Sequence, residues 1–172
     1  KDIETVIAEP MAEIINISFS TGNYIENLKF SKMIPIYKDK GDLLECSNYR
    51  PVSLLENINK IVEKLMHSRV YSFLTLSNCI YDLQFGFRQK HSTNHALLSM
   101  VQEIRENMDK GNISVGIFVD FQKAFDTVNH KILLSKLNYY GIRGTAHDWL
   151  SSYLSNRSQY VSITGFDSKC QK

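Results

Sequence analysis

The chain is short of nearly everything that marks a secreted, membrane-bound or disordered protein. Three cysteines, Cys46, Cys79 and Cys170, are odd in number, far apart and in no metal-ligand spacing, which argues against a disulfide framework and a zinc site. No apolar run approaches bilayer length, and the N-terminus has no charged-then-apolar leader. The expectation is a soluble intracellular protein, with nucleus and cytoplasm both open. Prolines number three and glycines eight in 172 residues that are 43% hydrophobic, so the composition is that of one globular domain with room for a core. A net charge of +2 does not announce a nucleic-acid binder, and any basic surface must come from local clustering. The chain opens on Lys1 and stops in a polar tail, as a piece of a longer protein would.

What is present is patterned. Residues 2 to 20 carry apolar side chains at helical spacing, with Pro10 expected to begin a fresh segment and Gly22-Asn23 to end it. Lys32 to Lys38 reads as a strand whose Pro35 argues for an edge position. With Asn48 to Leu55 it forms a predicted long hairpin, which would bring Lys38, Lys40 and Arg50 near one another. A lysine and a planar arginine converging on one spot suit a triphosphate or a phosphate backbone, whereas isolated cations of this kind are ordinary solvated charge. Asn57 to Ser77 is the clearest helix, read as packing. Ser92 or Thr93 caps a helix to about Lys110, stopped by Gly111. His91 and His95, one turn apart, lack a third metal ligand and read as polar residues of a helix start. Asn129 caps a further helix that Gly141 ends, Thr145 caps the next, and Gln159 to Thr164 is an alternating strand closed by Gly165. The element order is that of an α+β fold without internal repeats.

The stretch from Ile113 to Asp126 stands at the centre of this order. Ile113, Val115, Ile117, Phe118, Val119 and Phe121 form a compact β-branched and aromatic run after Gly111-Asn112, which predicts a buried strand. A carboxylate set into such a strand would lose hydration and need a compensating metal or base. Asp120 is therefore either a ligand or an acid at the strand's open end that caps the next helix.

Four ordered blocks, Lys32-Met-Ile-Pro-Ile-Tyr-Lys38, Asn48-Tyr-Arg-Pro-Val-Ser-Leu-Leu55, Gln84-Phe-Gly-Phe-Arg88 with Ser92-Thr93, and Phe118-Val-Asp-Phe-Gln-Lys-Ala-Phe-Asp126, resemble the reverse transcriptase domain of non-LTR, LINE-type retrotransposons. The resemblance continues through His130 to Leu137, Gly141-Ile-Arg-Gly144 and Tyr153-Leu-Ser-Asn-Arg157 to the strand at Tyr160. It implies a right-hand polymerase fold, with an N-terminal helical extension over 1–31, fingers over 32–112 and a partial palm over 113–172. It also implies that the chain stops before the paired-aspartate hairpin of the palm.

By that resemblance Asp120 matches the first catalytic aspartate and would bind both ions of a two-magnesium site, with the backbone carbonyl of Phe121 on the nucleotide-bound ion. Phe125 matches the ring that sits under the nucleotide sugar and collides with a 2′-hydroxyl; plain core packing is its other reading. Asp126 looks structural, bonding amide groups near a helix start. Lys38 and Arg50 match the residues that grip the triphosphate, with Lys40 an alternative for the lysine. Arg88 suits either a nucleotide or template contact or a brace between fingers and palm, and Lys90, His91 and Asn94 suit template phosphates. The implied partners are an RNA template, a DNA primer and deoxynucleoside triphosphates. Two readings are open: a fragment of an RNA-directed DNA polymerase that is inactive alone for want of its other carboxylates, or a remnant that binds RNA or other nucleic acid without chemistry.

Overall fold

The computed structural model describes residues 2–163 and 166–171, with side chains from residue 6 onward. Helix α1 (Asp2–Thr21) runs unbroken through Pro10, where a fresh helical segment is expected. Proline removes one N–H from the ladder, and the remaining turns carry the helix across the gap. The helix stops at Gly22, whose φ of +70° is the left-handed conformation that only glycine adopts freely. A Cβ at this position would lie 3.1 Å from the Thr145 carbonyl oxygen, so close packing as well as backbone conformation selects glycine.

Strands β1 (Phe30–Tyr37) and β2 (Tyr49–Leu54) pair antiparallel, as the hairpin pattern predicts. Pro35 faces Pro51 in the register. Lys38 N donates to Asn48 O at 2.9 Å, and counting back from that hydrogen-bonded pair puts the two prolines in a non-hydrogen-bonded pair, where neither needs a donor toward the other. On its other side β1 pairs parallel with β3 (Ser158–Ile163), but only from Phe30 to Met33. Pro35 has no N–H to continue that ladder, so β1 is central at its start and an edge strand beyond. β4 (Phe166–Asp167) completes a four-stranded mixed sheet in the order β2-β1-β3-β4. The predicted closure of β3 by Gly165, and its last residue Thr164, lie outside the described residues.

Three further helices, α2 (Asn57–Leu76), α4 (His130–Tyr139) and α5 (Thr145–Leu154), follow the apolar periodicity. Asn129 caps α4 as expected, its side-chain oxygen accepting from Lys131 N and Ile132 N at 3.0 and 3.2 Å. The cap of α5 is Gly144, not Thr145. With φ +58° Gly144 makes the turn that an L-residue resists, and Thr145 already belongs to the helix.

The core gathers around Trp149, 1% exposed, with Ile15, Tyr24, Leu28, Val62 and Met66. Trp149 stacks on Tyr153 with ring centroids 5.6 Å apart and meets Phe19 and Tyr24 edge-on, and its Nε1 donates to Ser18 Oγ at 2.9 Å. Polar atoms inside this core are paired, as burial demands. Asn59, 1% exposed, accepts from the Tyr24 hydroxyl and donates to Leu28 O at 2.9 Å. The Tyr153 hydroxyl donates to Glu63 Oε1 at 2.7 Å. Burial pushes the Tyr24 hydroxyl up to about 12, with the Glu63 charge adding to the rise and Arg157 opposing it. Burial, then the bond to Glu63, raises Tyr153 as well.

The chain divides into two compact units: residues up to Val70 together with those from Asn129 onward, which hold the sheet and this core, and residues 71–128. In the second unit α3 (Thr93–Asp109) starts at Ser92, whose side chain accepts from His95 N, and is followed by Gly111 at φ +74°. The predicted buried strand after it does not form. Residues 113–121 have no regular structure, and Ile113, Val115, Ile117, Phe118, Val119 and Phe121 are 75–92% exposed. A strand exists only as a member of a ladder, and among the described residues none of the four strands pairs with this segment.

Candidate functional site

The basic cluster is built by the β1–β2 ribbon. Because side chains alternate across a sheet, the register Lys32↔Leu54, Ile34↔Val52 and Ile36↔Arg50 puts Lys32, Arg50 and, one step further along, Lys38 on one face. Lys32 carries no motif signal of its own, although the alternation from Lys38 back along the strand contains it. Lys38 Nζ donates to Ser47 O at 2.7 Å, and Arg50 is exposed. Lys40 lies in the connection, between Asp39 and Gly41 at φ +56° and +91°. That connection is tied down by Tyr37 Oη to Gly41 O at 2.5 Å, Asn48 Nδ2 to Asp42 O at 2.8 Å and Tyr49 Oη to Leu43 O at 2.9 Å. Its cations therefore stand on a folded loop.

In the second unit Arg88 is committed locally. Its Nη1 donates to the carbonyls of Tyr81 and Asp82 at 3.2 and 3.0 Å, and its Nη2 stands 3.9 Å from the Asp82 carboxylate. It braces its own turn. Lys90, at φ +60°, is exposed beside it. His91 and His95 meet edge-on at 6.2 Å between centroids, and among the described residues no group of three potential metal ligands exists.

Asp120 stands in the exposed segment. The desolvation that a buried strand would impose on its carboxylate is absent, and its functional reading rests on its place in the motif. Phe121, next to it, is exposed as well. From Gln122 to Thr127 the chain turns: Asp126 N and Thr127 N both donate to Lys123 O, at 3.0 and 3.2 Å. Asp126 thus takes part through its backbone, and its carboxylate caps no helix among the described residues, since α4 begins at its own cap, Asn129. Phe125 is exposed, not core-packed. It meets Phe87 edge-on, centroids 6.0 Å apart, an association within the second unit that joins the glycine-flanked aromatic block to the turn after Asp120. Phe87 adopts φ +57°, unfavourable for a bulky residue.

Two-ion phosphoryl transfer needs several carboxylate oxygens around a metal pair. Asp120 supplies one carboxylate, so the residues described do not fit a two-ion site by themselves, and no reaction step of this chain is assigned to a metal.

Residues 36–171 match the family model for the reverse transcriptase (RNA-dependent DNA polymerase). The chain belongs to the reverse transcriptase family. It is 32% identical over 158 residues to the RNA-directed DNA polymerase from mobile element jockey of Drosophila melanogaster, covering 92% of this chain and 17% of that protein. It is 31% identical over 159 residues to the probable RNA-directed DNA polymerase from transposon BS of the same species, covering 89% of this chain and 17% of the relative. Similarity at 29% identity extends over 96% of the chain to a putative 115 kDa protein in the type-1 retrotransposable element R1DM. The non-LTR retrotransposon resemblance carried by the four motif blocks is borne out by these relatives. The chain spans about 17% of the length of the first two. Among the described residues no helix is long and apolar enough to cross a membrane.

Proposed function

We propose that the chain is the fingers and first part of the palm of an RNA-directed DNA polymerase, working within a longer protein of the length its relatives have. The observation that carries this reading is the family match over 36–171, which takes in Lys38 and Arg50, two cations that the β1–β2 register puts on one sheet face. In this reading those two cations, with Lys40 as the alternative lysine, hold the triphosphate of the incoming deoxynucleotide. Asp120 and the Phe121 carbonyl belong to the reaction centre, with magnesium as the ion, and Phe125 stands beside the sugar. Arg88 shapes the turn that carries Lys90 toward the template. RNA template and DNA primer are the partners.

Primer extension on an RNA template tests the proposal. In a longer protein carrying this chain, Asp120→Asn abolishes extension and Arg50→Ala raises the KM for the deoxynucleotide about tenfold or more, the size expected for a charge-assisted contact to phosphate. Unchanged extension by the Asp120 variant overturns the assignment. The second reading, nucleic-acid binding without chemistry, is favoured for the 172-residue chain alone by the single carboxylate of its motif. It predicts salt-sensitive RNA binding that Asp120→Ala leaves intact.

A further inference from the structure

We propose that a pocket on the opposite face of the sheet, closed by Arg157, is an oxyanion site for a phosphate group. The pocket, about 440 Å³, is lined by Ser31, Ser53, Leu55, Tyr153, Arg157, Ser158 and Gln159. Ser31 and Gln159 are partners in the β1–β3 ladder, and Ser53 faces Met33 across the β1–β2 ladder. Alternation puts these three on the face away from Lys38 and Arg50, so the pocket is separate from the basic cluster. Arg157 comes from the turn after α5. Its guanidinium lies 4.7 Å from the centre of the Tyr153 ring, and its Nη1 donates to Tyr153 O at 3.2 Å.

The guanidinium also stands 5.9 Å from the centre of the Tyr24 ring, and the fork holds more donors than the Tyr153 carbonyl and the Tyr24 hydroxyl take up. Among the described residues no carboxylate stands within ion-pair distance of Arg157, and no acidic residue lines the pocket. A partly buried cation without a direct ion-pair partner is an arrangement that an anionic ligand can stabilise. Ser31 is only 8% exposed, yet its hydroxyl has no hydrogen-bond partner among the described residues. No fully enclosed polar atom is left unpaired, so this hydroxyl keeps its opening through the pocket. A planar arginine fork with several neutral hydroxyl and amide donors, and no carboxylate in the pocket lining, matches a tetrahedral oxyanion with acceptors on every side. The phosphate belongs either to a small molecule or to a nucleic-acid backbone.

The chain reports on this site through its single tryptophan. Trp149 stacks on Tyr153, and Tyr153 in turn carries Arg157 over its ring, so a ligand that engages Arg157 changes the surroundings of the stacked pair. Titrating the 172-residue chain with inorganic phosphate, against chloride at matched ionic strength, is expected to give a saturable change in Trp149 fluorescence that chloride does not. Arg157→Gln weakens the phosphate response about tenfold or more, as loss of a charged donor does. Ser53→Glu, at an exposed position, places a carboxylate beside Arg157 and blocks binding while the far-ultraviolet circular dichroism melt stays that of the wild type. This second variant keeps the test decisive even where Arg157→Gln unfolds the chain. A matching titration with a short single-stranded RNA separates the two sources. If the backbone is the ligand, RNA binds and Arg157→Gln lowers the salt slope by about one phosphate's worth, about 0.7; if a small phosphate is the ligand, RNA binding is the same in both chains. Equal phosphate responses in wild type and Ser53→Glu, or no saturable response at all, overturn the proposal.

Discussion

Replacing Asn59 by alanine tests how the first unit is held together. Its side chain is enclosed, and it ties α2 to the α1–β1 connection by accepting from the Tyr24 hydroxyl and donating to Leu28 O. Alanine leaves the Tyr24 O–H without its acceptor and the Leu28 carbonyl without this donor, both inside the core. Each unpaired group costs about 1–3 kcal/mol, and the vacated volume adds to this, so the expected loss is roughly 3–5 kcal/mol. That is a large share of the stability of a domain this size, typically about 5–15 kcal/mol. Urea unfolding followed by Trp149 fluorescence and far-ultraviolet circular dichroism measures it. A double-mutant cycle isolates the bond. Tyr24→Phe alone costs about 1 kcal/mol, and in the Asn59→Ala background it is neutral or stabilising, because the hydroxyl proton it removes has already lost its acceptor. A coupling of about 1–2 kcal/mol between the two sites is expected for groups in direct contact. A loss below about 1 kcal/mol for Asn59→Ala, or additivity in the cycle, would refute the view that this polar bridge organises the core.

Gly22→Ala forces a left-handed φ on alanine and drives its Cβ against the Thr145 carbonyl, and a loss of about 1–2 kcal/mol in chemical unfolding is expected. Gly41→Ala, at φ +91°, meets the Asn48 carboxamide, so the connection carrying Lys40 loosens and limited proteolysis cuts it faster, with the helices untouched. In an alkaline titration read by tyrosinate absorbance, Tyr24 and Tyr153 ionise above the ordinary tyrosine value. Their folded values lie above the unfolded 10, so the stability they contribute is complete below pH 10 and falls as the pH rises from 10 through about 12. Asp120→Asn, at an exposed site outside every regular element, leaves the melting temperature unchanged, which separates any effect on polymerisation from folding.

The elements that sequence exposes are those whose signals are local. Asn129 and Ser92 cap through their own side chains, Gly22, Gly111 and Gly141 stop helices by adopting positive φ, and the hairpin arises from two apolar runs around a glycine-containing connection. Helix periodicity gives α2 its length and, in Val62 and Met66, part of the face it buries. Ile58, Ile61 and Leu65 of the same apolar stripe are partly exposed, while Asn59 is buried. Polarity hides Asn59, because a residue that satisfies two buried groups from neighbouring elements has a tertiary role that no window of α2 records. The parallel pairing of β1 with β3 is equally invisible, since its partners are more than a hundred residues apart.

Asp120 shows the same limit at the candidate site. Its apolar flanks read as a buried strand because alternation and β-branching report what a segment is suited to, while a strand requires hydrogen-bonding partners beside it. Without them Ile113 to Phe121 presents its side chains outward, and the carboxylate at its end keeps its water. A physical case for Asp120 built on burial therefore fails in this chain, whereas the case built on motif order stands with the family match. The two make different demands of the same residue. If Asp120 works by position, it needs an environment that other residues assemble around it. The exposed apolar run beside it, poor in charge and unpaired along its backbone, is the kind of segment that becomes ordered only when a ladder forms along it.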